Sequence, residues 1–309
     1  MIASQRYRAI AVAALAALAA IIVTGAAVRL TDSGLGCDDW PNCSSTKLVD
    51  VSSRHAAIEQ LNRLFTGIVG LAVIAAVLAS RWRSPRRLDL TVLSWLLVFG
   101  VLANAVLGGI SVKVDLHPVA IQGHMLLSML LIVVGTVLVR RAGETDGAPR
   151  TRTVAPPTRR LVSLHFALTW AAVFTGTLVT GAGPHAGDES AERLDVAIPT
   201  IARVHGITVM ATIALSLAIA WRINRHPRER SALHRPLTTW ILIAAGQAIL
   251  GYVQYLADVP ALLVAIHVTG AIAVMWSATR LLLDLSKAEN LNVTRTSHDD
   301  LLSISRSCT

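Results

Sequence analysis

The sequence predicts an all-α integral membrane protein, with eight transmembrane helices arranged as two pseudo-twofold-related four-helix bundles. Three observations carry that prediction. Hydrophobic residues make up 53% of the chain and charged residues 15%, and apolar runs of about 20 residues, each long enough to cross a hydrocarbon core as a helix, recur along its length. Arginine and lysine gather in alternate gaps between these runs. The two halves also match each other at an offset of 143 residues.

The runs fall at about 9–28, 58–80, 89–110, 119–139, 161–182, 200–221, 237–256 and 261–283. The first follows Arg6 and Arg8; its length and the lack of a clear small-residue cleavage site make it an uncleaved helix rather than a signal peptide. The second and third flank Arg81, Arg83, Arg86 and Arg87. The fourth and fifth flank Arg140, Arg141, Arg150, Arg152, Arg159 and Arg160. The sixth and seventh flank Arg222, Arg225, Arg228, Arg230 and Arg235, and the eighth is followed by Arg280, Lys287, Arg295 and Arg306. This places 21 of the 28 basic residues on one side. The positive-inside rule makes that side cytoplasmic, with both termini on it. The net charge of +9 thus expresses orientation beside membrane lipid rather than nucleic-acid binding. The expected divisions are an N-terminal bundle (1–140), a cytoplasmic linker (141–160), a C-terminal bundle (161–284) and a polar, mobile cytoplasmic tail (285–309).

The duplication is legible residue by residue. Ala56–Arg63 aligns with Pro199–Gly206, which sets Ile58 on Ile201, Glu59 on Ala202 and Asn62 on His205. Asn104, Leu107 and Gly108 align with Gln247, Leu250 and Gly251, and His124 aligns with His267. Val-Thr-Gly-Ala recurs at 23–26 and 179–182, an offset of 156, so the first outward loop is longer than its counterpart. That loop carries Cys37 and Cys43. Each copy has four helices, so both run in the same direction, a parallel repeat about an axis along the membrane normal.

Histidines at membrane depth are costly unless paired, facing a cavity or binding metal. His205 and His267, near the outward ends of the sixth and eighth helices, suit the two axial positions of a b-type haem; hydrogen bonding between helices is the alternative. The first half keeps His124 but has Asn62, a poor iron ligand, in the other position. Glu59 lies one turn before Asn62 on the same helix face and has no counterpart in the second half. It is the candidate catalytic carboxylate, or else a helix-terminal glutamate paired with Arg63 or Arg54. Arg29 is placed to meet a propionate, or is an interfacial arginine. Cys37 and Cys43, in an oxidising compartment, form either a loop staple or a redox-active pair. His117, His55 and His185 are secondary contacts or surface groups; His165, His226, His234 and His298 fall on the cytoplasmic side. Trp40, Trp170 and Trp276 serve interface anchoring or porphyrin packing. No Walker A segment, dinucleotide fingerprint or His-Glu-x-x-His motif is present.

The stretch from Thr24 to Cys43, Thr-Gly-Ala-Ala-Val-Arg-Leu-Thr-Asp-Ser-Gly-Leu-Gly-Cys-Asp-Asp-Trp-Pro-Asn-Cys, resembles the first-loop signature of haem A synthases. The resemblance covers nearly the whole chain, and Gly183–Asp188 is similar to actinobacterial members. It implies oxidation of the C8 methyl group of haem O to a formyl group by successive hydroxylations. It further implies haem b on His205 and His267, substrate haem in the first half, Glu59 as the catalytic glutamate with Arg63 one turn on among the residues that contact cofactor, and Cys37 and Cys43 as the family's outward pair, counted with Glu59 as catalytic. Haem O synthase would deliver the substrate, and cytochrome oxidase assembly would consume the product, at the plasma membrane. Many members have histidine at the position of Asn62, which leaves His124 as the matched ligand in the substrate half. A dihaem electron-transfer cytochrome and a haem carrier or assembly factor are the competing readings. Oligomeric state, a homo-oligomer included, stays open.

Overall fold

The computed structural model describes residues 1–288. Within them the chain forms eight helices: α1 (Ser4–Leu30), α2 (Arg54–Trp82), α3 (Leu88–Lys113), α4 (Pro118–Ala142), α5 (Pro156–Ala182), α6 (Ile198–Asn224), α7 (Pro227–Leu256) and α8 (Ala261–Leu283). All eight are long and apolar enough to cross a membrane, as expected from the apolar runs. Hydropathy marks where a helix meets hydrocarbon, whereas its hydrogen-bond ladder continues into the interface, so most helices overrun their apolar runs. The largest overrun is α7, expected from about 237 but beginning at Pro227 and continuing through Pro236. A proline disfavours helix at the residue before it, which is why the sequence suggests a start just after Pro236. Proline is better placed at the first-turn positions Pro118, Pro156, Pro199 and Pro227, where its missing N–H has no partner within the helix.

The first four helices close a ring in which α1 packs on α2 and α4, and α3 on the same two. The last four repeat it: α5 packs on α6 and α8, and α7 on the same two. Along the seam α8 meets α4 and α1, and α4 meets α5. Exchanging the halves converts the α1–α8 contact into the α5–α4 contact and leaves α4–α8 in place. Tyr7, Ala11, Ala14 and Leu18 of α1 are buried against Val69, Val73, Leu97, Met129 and Ile132, and Ile272 and Met275 join this core from across the seam. Small residues on α1 and α2 allow the close approach on which helix association in lipid depends. On the outer face of α2, Leu61, Leu64, Ile68 and Leu71 are 54–68% exposed at helical spacing, a surface suited to acyl chains.

The α3–α4 and α7–α8 turns carry the repeat into the backbone. Asp115 and Leu116 have φ of 51° and 59°, and Asp258 and Val259, 143 positions later, have 59° and 58°. In both turns the second of these residues donates its N–H back to the helix, Leu116 to Ser111 O at 2.8 Å and Val259 to Gln254 O at 2.9 Å. A branched residue in left-handed conformation costs on the order of 1–3 kcal/mol and persists only where its surroundings over-determine it. Here the α5–α6 connection supplies contacts to both turns. Leu116 is buried against Ala186 and Ala191, and Val259 O accepts from His185 Nε2 at 2.9 Å.

On the face rich in arginine, β1 (Arg150–Arg152) pairs antiparallel with β2 (Ser286–Ala288). The sequence reading assigned these segments to linker and tail and gave neither regular structure. Ion pairs of Arg83 with Asp146 (2.8 Å) and Arg140 with Asp284 (2.6 Å) bind the same region. The tail beyond 288, including His298 and Cys308, lies outside the described residues.

Candidate functional site

Three glycines seat the candidate histidines, and two of them, Gly108 and Gly251, occupy equivalent positions of the repeat. A β-carbon on Gly251 would lie 3.1 Å from Cε1 of His267, one on Gly176 would lie 3.1 Å from Cε1 of His205, and one on Gly108 would lie 3.1 Å from Cε1 of His124. In each case a glycine on the neighbouring helix lets an imidazole lie flush against backbone. The amide side chains of α3 and α7 then hold the histidine-bearing helices. Gln247 Nε2 donates directly to the carbonyl of His267 at 2.8 Å. Asn104, one methylene shorter, donates to Ser128 Oγ at 2.8 Å, and Ser128 passes the bond on to the carbonyl of His124 at 2.9 Å.

In the second half, the His205 and His267 rings stand 6.5 Å apart between centroids, with planes at 77°. Two axial imidazoles on one metal need about 2 Å from metal to nitrogen and about 1.2 Å more to each ring centre, or about 6.4 Å in all. The separation therefore matches a single iron between the rings. Thr175 Oγ1 lies 3.1 Å from His205 Nδ1, which fixes that ring and leaves Nε2 free for another partner. His267 Nδ1 is enclosed and has no hydrogen-bond partner among the described residues, an unusual state for a buried polar atom. Among the described residues no three histidine, cysteine or acidic side chains gather around a bare-ion site. The histidines meet as a pair, the set that six-coordinate porphyrin iron uses.

In the first half the repeat position that corresponds to His205 is Asn62. Asn62 Oδ1 accepts from Thr24 Oγ1 at 2.7 Å, so the amide is tied to α1. Glu59, 5% exposed, accepts at Oε1 from Arg63 Nε (3.0 Å) and Nη2 (2.5 Å), and at Oε2 from the Cys37 N–H (2.7 Å). Arg63 Nη1 continues to the carbonyls of Asp39 (2.9 Å) and Asn42 (3.0 Å). The guanidinium expected to contact cofactor is thus engaged with Glu59 and the loop. Cys37 and Cys43 are joined by a disulfide, and both are buried with Ala56 of α2. Between them, Trp40 presses its ring on α3, where a β-carbon at Gly109 would fall 2.3 Å from Trp40 Cδ2. The disulfide loop therefore rests against the residue adjoining the seat of His124. The Trp40 N–H, followed by Lys113, holds the Asp39 carboxyl below its ordinary value.

The remaining candidates separate in space. Arg29 Nη2 donates to Thr180 O on α5 at 2.7 Å, across the seam. His55, in the first turn of α2, meets Ser33 Oγ through Nδ1 at 3.0 Å, and His117, capping α4, lies 3.6 Å from Glu192, both on the side opposite the basic face. His165 is fully buried edge-on to Trp240, with centroids 4.2 Å apart. The sequence reading missed Thr24, Thr175, Gly176 and Ser128. The recurrence of glycine at 108 and 251 was visible as repeat register, but nothing in it announced an imidazole seat.

An eight-span helical membrane protein with an internal repeat, seating histidines alike in both halves and pairing them in only one, is the class these features define. The chain belongs to the COX15-CtaA family of cytochrome oxidase assembly proteins, whose model matches residues 8–60 and 48–279. It is 28% identical over 336 residues to the "Heme A synthase" of Bradyrhizobium diazoefficiens, covering 88% of this chain and 90% of that protein. It is 29% identical over 167 residues to the "Heme A synthase" of Exiguobacterium sibiricum, where the match spans 53% of this chain and about half of the relative, 55%. A third "Heme A synthase", from Lysinibacillus sphaericus, is 33% identical over 104 residues, a third of each chain.

Proposed function

We propose that this chain is a haem A synthase that binds haem O in its first half and oxidises the C8 methyl group to a formyl group by successive hydroxylations. One observation carries the assignment of halves: His124 and His267 sit in equivalent glycine seats, yet only His267 faces a second imidazole. A site with two strong axial ligands retains its porphyrin. A site with one suits a porphyrin that must enter, react and leave.

In this reading His205 and His267 hold haem b, which when bound supplies one-electron transfer. His124 ligates the substrate, and Asn62 stands where a second ligand would otherwise hold it; its presence here is a variation of the branch that the third outward loop resembles. Oxidising a methyl group replaces C–H bonds by C–O bonds and releases protons. Glu59, the sole carboxylate on α2, lies one turn from Asn62 and is the group we assign to take up a proton or position water at the reacting carbon. Arg63 and the Cys37 N–H fix the orientation of Glu59, so the disulfide loop acts as its support, whether or not the thiols also cycle. The contact set that maps onto itself when the halves are exchanged supports a twofold relation along the membrane normal. The arginine-rich face is cytoplasmic in the plasma membrane and carries both termini. Haem O synthase is the upstream partner and cytochrome oxidase assembly the downstream use.

The test is the haem content of membranes from a haem-O-producing host expressing the chain, separated by chromatography and identified by mass. Haem A or its hydroxylated precursor is the expected product. Glu59→Ala should keep its bound haem and lose formyl formation by more than tenfold. Haem B and O alone from folded, haem-loaded protein would favour the electron-transfer or carrier reading. Undiminished haem A from Glu59→Ala would remove Glu59 from the mechanism.

A further inference from the structure

Arg29 ends α1 on the face opposite the basic clusters, and its guanidinium reaches the other half of the molecule, donating to Thr180 O on the last turn of α5. Its Nε is enclosed and has no hydrogen-bond partner among the described residues. Arg193, in the α5–α6 connection, donates Nη1 to Gly183 O at 2.8 Å, and its positive charge acts on Arg29. Among the described residues neither arginine forms an ion pair. The same connection is rich in acid, yet Glu192 turns to His117 and Asp188 accepts from the Ser190 N–H and hydroxyl. Two neighbouring cations, one with an enclosed unsatisfied donor, are a costly arrangement that an anion between them relieves.

Their location says which anion. Thr180 Oγ1 donates to Gly176 O at 2.9 Å, and Gly176 is the seat of the His205 ring. The Arg29 guanidinium therefore stands one helical turn, about 6 Å of rise, beyond that ring toward the membrane surface. The backbone around Arg193 is held as well: Leu194 N–H bonds Gly181 O at 3.0 Å, and Gly187 O accepts from Gly34 N–H at 2.8 Å.

We propose that Arg29 and Arg193 form a carboxylate clamp over the second-half site, taking a propionate of the porphyrin held by His205 and His267. This deepens, and rests on, the porphyrin reading given above. The planar fork of a guanidinium matches a carboxylate in two parallel hydrogen bonds, and a porphyrin of this class carries its propionates along one edge. Arg29 belongs to the first half by sequence, so the second-half site is completed from across the seam. Loading of the resident haem then ties the two halves together and orders the α5–α6 connection.

The experiment compares two porphyrins that differ only in whether their two propionates are free or esterified, and the arginine variants then show whether the clamp accounts for the difference. Full-length protein carrying His124→Ala, which silences the first half, is purified in zwitterionic lipid nanodiscs from haem-depleted cells and titrated with ferric haem b or its dimethyl ester. The clamp should favour the free acid on the order of 10- to 100-fold. Arg193→Gln should bring that preference close to unity while the ester binds as before, which also shows the variant is folded. Arg29→Gln should do the same, and Arg193→Lys should keep part of the preference. An unchanged preference in Arg193→Gln overturns the clamp. Equal binding of acid and ester by the unsubstituted arginines also overturns it, leaving a lipid phosphate as their anion. Failure of either porphyrin to give a bis-histidine spectrum overturns the clamp together with the porphyrin reading, an outcome distinct from a bis-histidine spectrum without discrimination.

Discussion

The two halves of this protein place His124 and His267 against glycines at matching distance, 3.1 Å in each case, and then surround them differently. In the second half the opposing group is His205, steadied by Thr175, and Gln247 grips the carbonyl of His267 directly. In the first half the residue at the repeat position of His205 is Asn62, tied to Thr24, and the grip on the carbonyl of His124 runs through an added hydroxyl, Ser128. The first half also carries Glu59, Arg63 and a disulfide-closed loop, where the second has Ala202 and a shorter connection. Duplication has kept the seat and changed the groups around it. A scaffold that holds one ring in the same way in both copies can assign retention to one half and chemistry to the other by altering a few side chains around it.

The largest expected effect comes from removing the pair itself. His267→Ala, or His205→Ala, should reduce copurifying haem b by more than tenfold and abolish its low-spin, six-coordinate spectrum, because one imidazole leaves the iron a single strong axial bond. His124→Ala should leave that spectrum intact while eliminating product. Equal loss of haem b from His124→Ala and His267→Ala would mean that the halves do not divide these roles.

A smaller effect should follow from making the halves alike. Asn62→His restores the residue that the repeat places at His205 and offers substrate a second axial imidazole. Porphyrin bound in the first half should become roughly tenfold harder to wash out, and output of haem A should fall as release slows. The two quantities are measured on one preparation, by haem retention in detergent and by product analysis. Higher output together with unchanged retention would show that Asn62 does not govern release.

How legible these differences were from the sequence depends on their physical origin. The eight spans were readable because a bilayer demands about 20 apolar residues per helix, and the correspondence of Asn62 with His205 followed from ungapped register alone. What escaped were bonds set by side-chain length and by distance across the seam. Nothing in the sequence states that Asn104 falls short of a carbonyl and needs Ser128, or that Arg63 is consumed by Glu59 and two loop carbonyls while Arg29 crosses to α5. The β1–β2 pairing joins segments of three residues separated by most of the second half, too short for any periodic pattern. The start of α7 was obscured because Pro236 sends a local stop signal that the rest of the helix overrides.

The smallest effects should come from the seats. Alanine at Gly251 would bring a methyl group to 3.1 Å from Cε1 of His267, and at Gly108 to 3.1 Å from Cε1 of His124, closer than ordinary contact, so the ring must yield by a few tenths of an ångström. If the second half holds iron as proposed, its ring would have little freedom to yield, since His205 is seated equally closely on Gly176 and leaned on by Thr175. Gly251→Ala should therefore speed haem b loss several-fold. In the first half His124 has no opposing imidazole to hold its place, so Gly108→Ala should alter porphyrin binding by less than about twofold. Gly25 and Gly67 have open space where a β-carbon would go. Alanine at either should stabilise its helix by about 0.5–1 kcal/mol through the helix propensity of alanine over glycine, visible as a raised unfolding temperature with haem binding unchanged. Equal haem loss from Gly251→Ala and Gly108→Ala would show that the opposing ligand does not decide how much a seat matters, and the contrast between the halves would then lie in Glu59 and its loop.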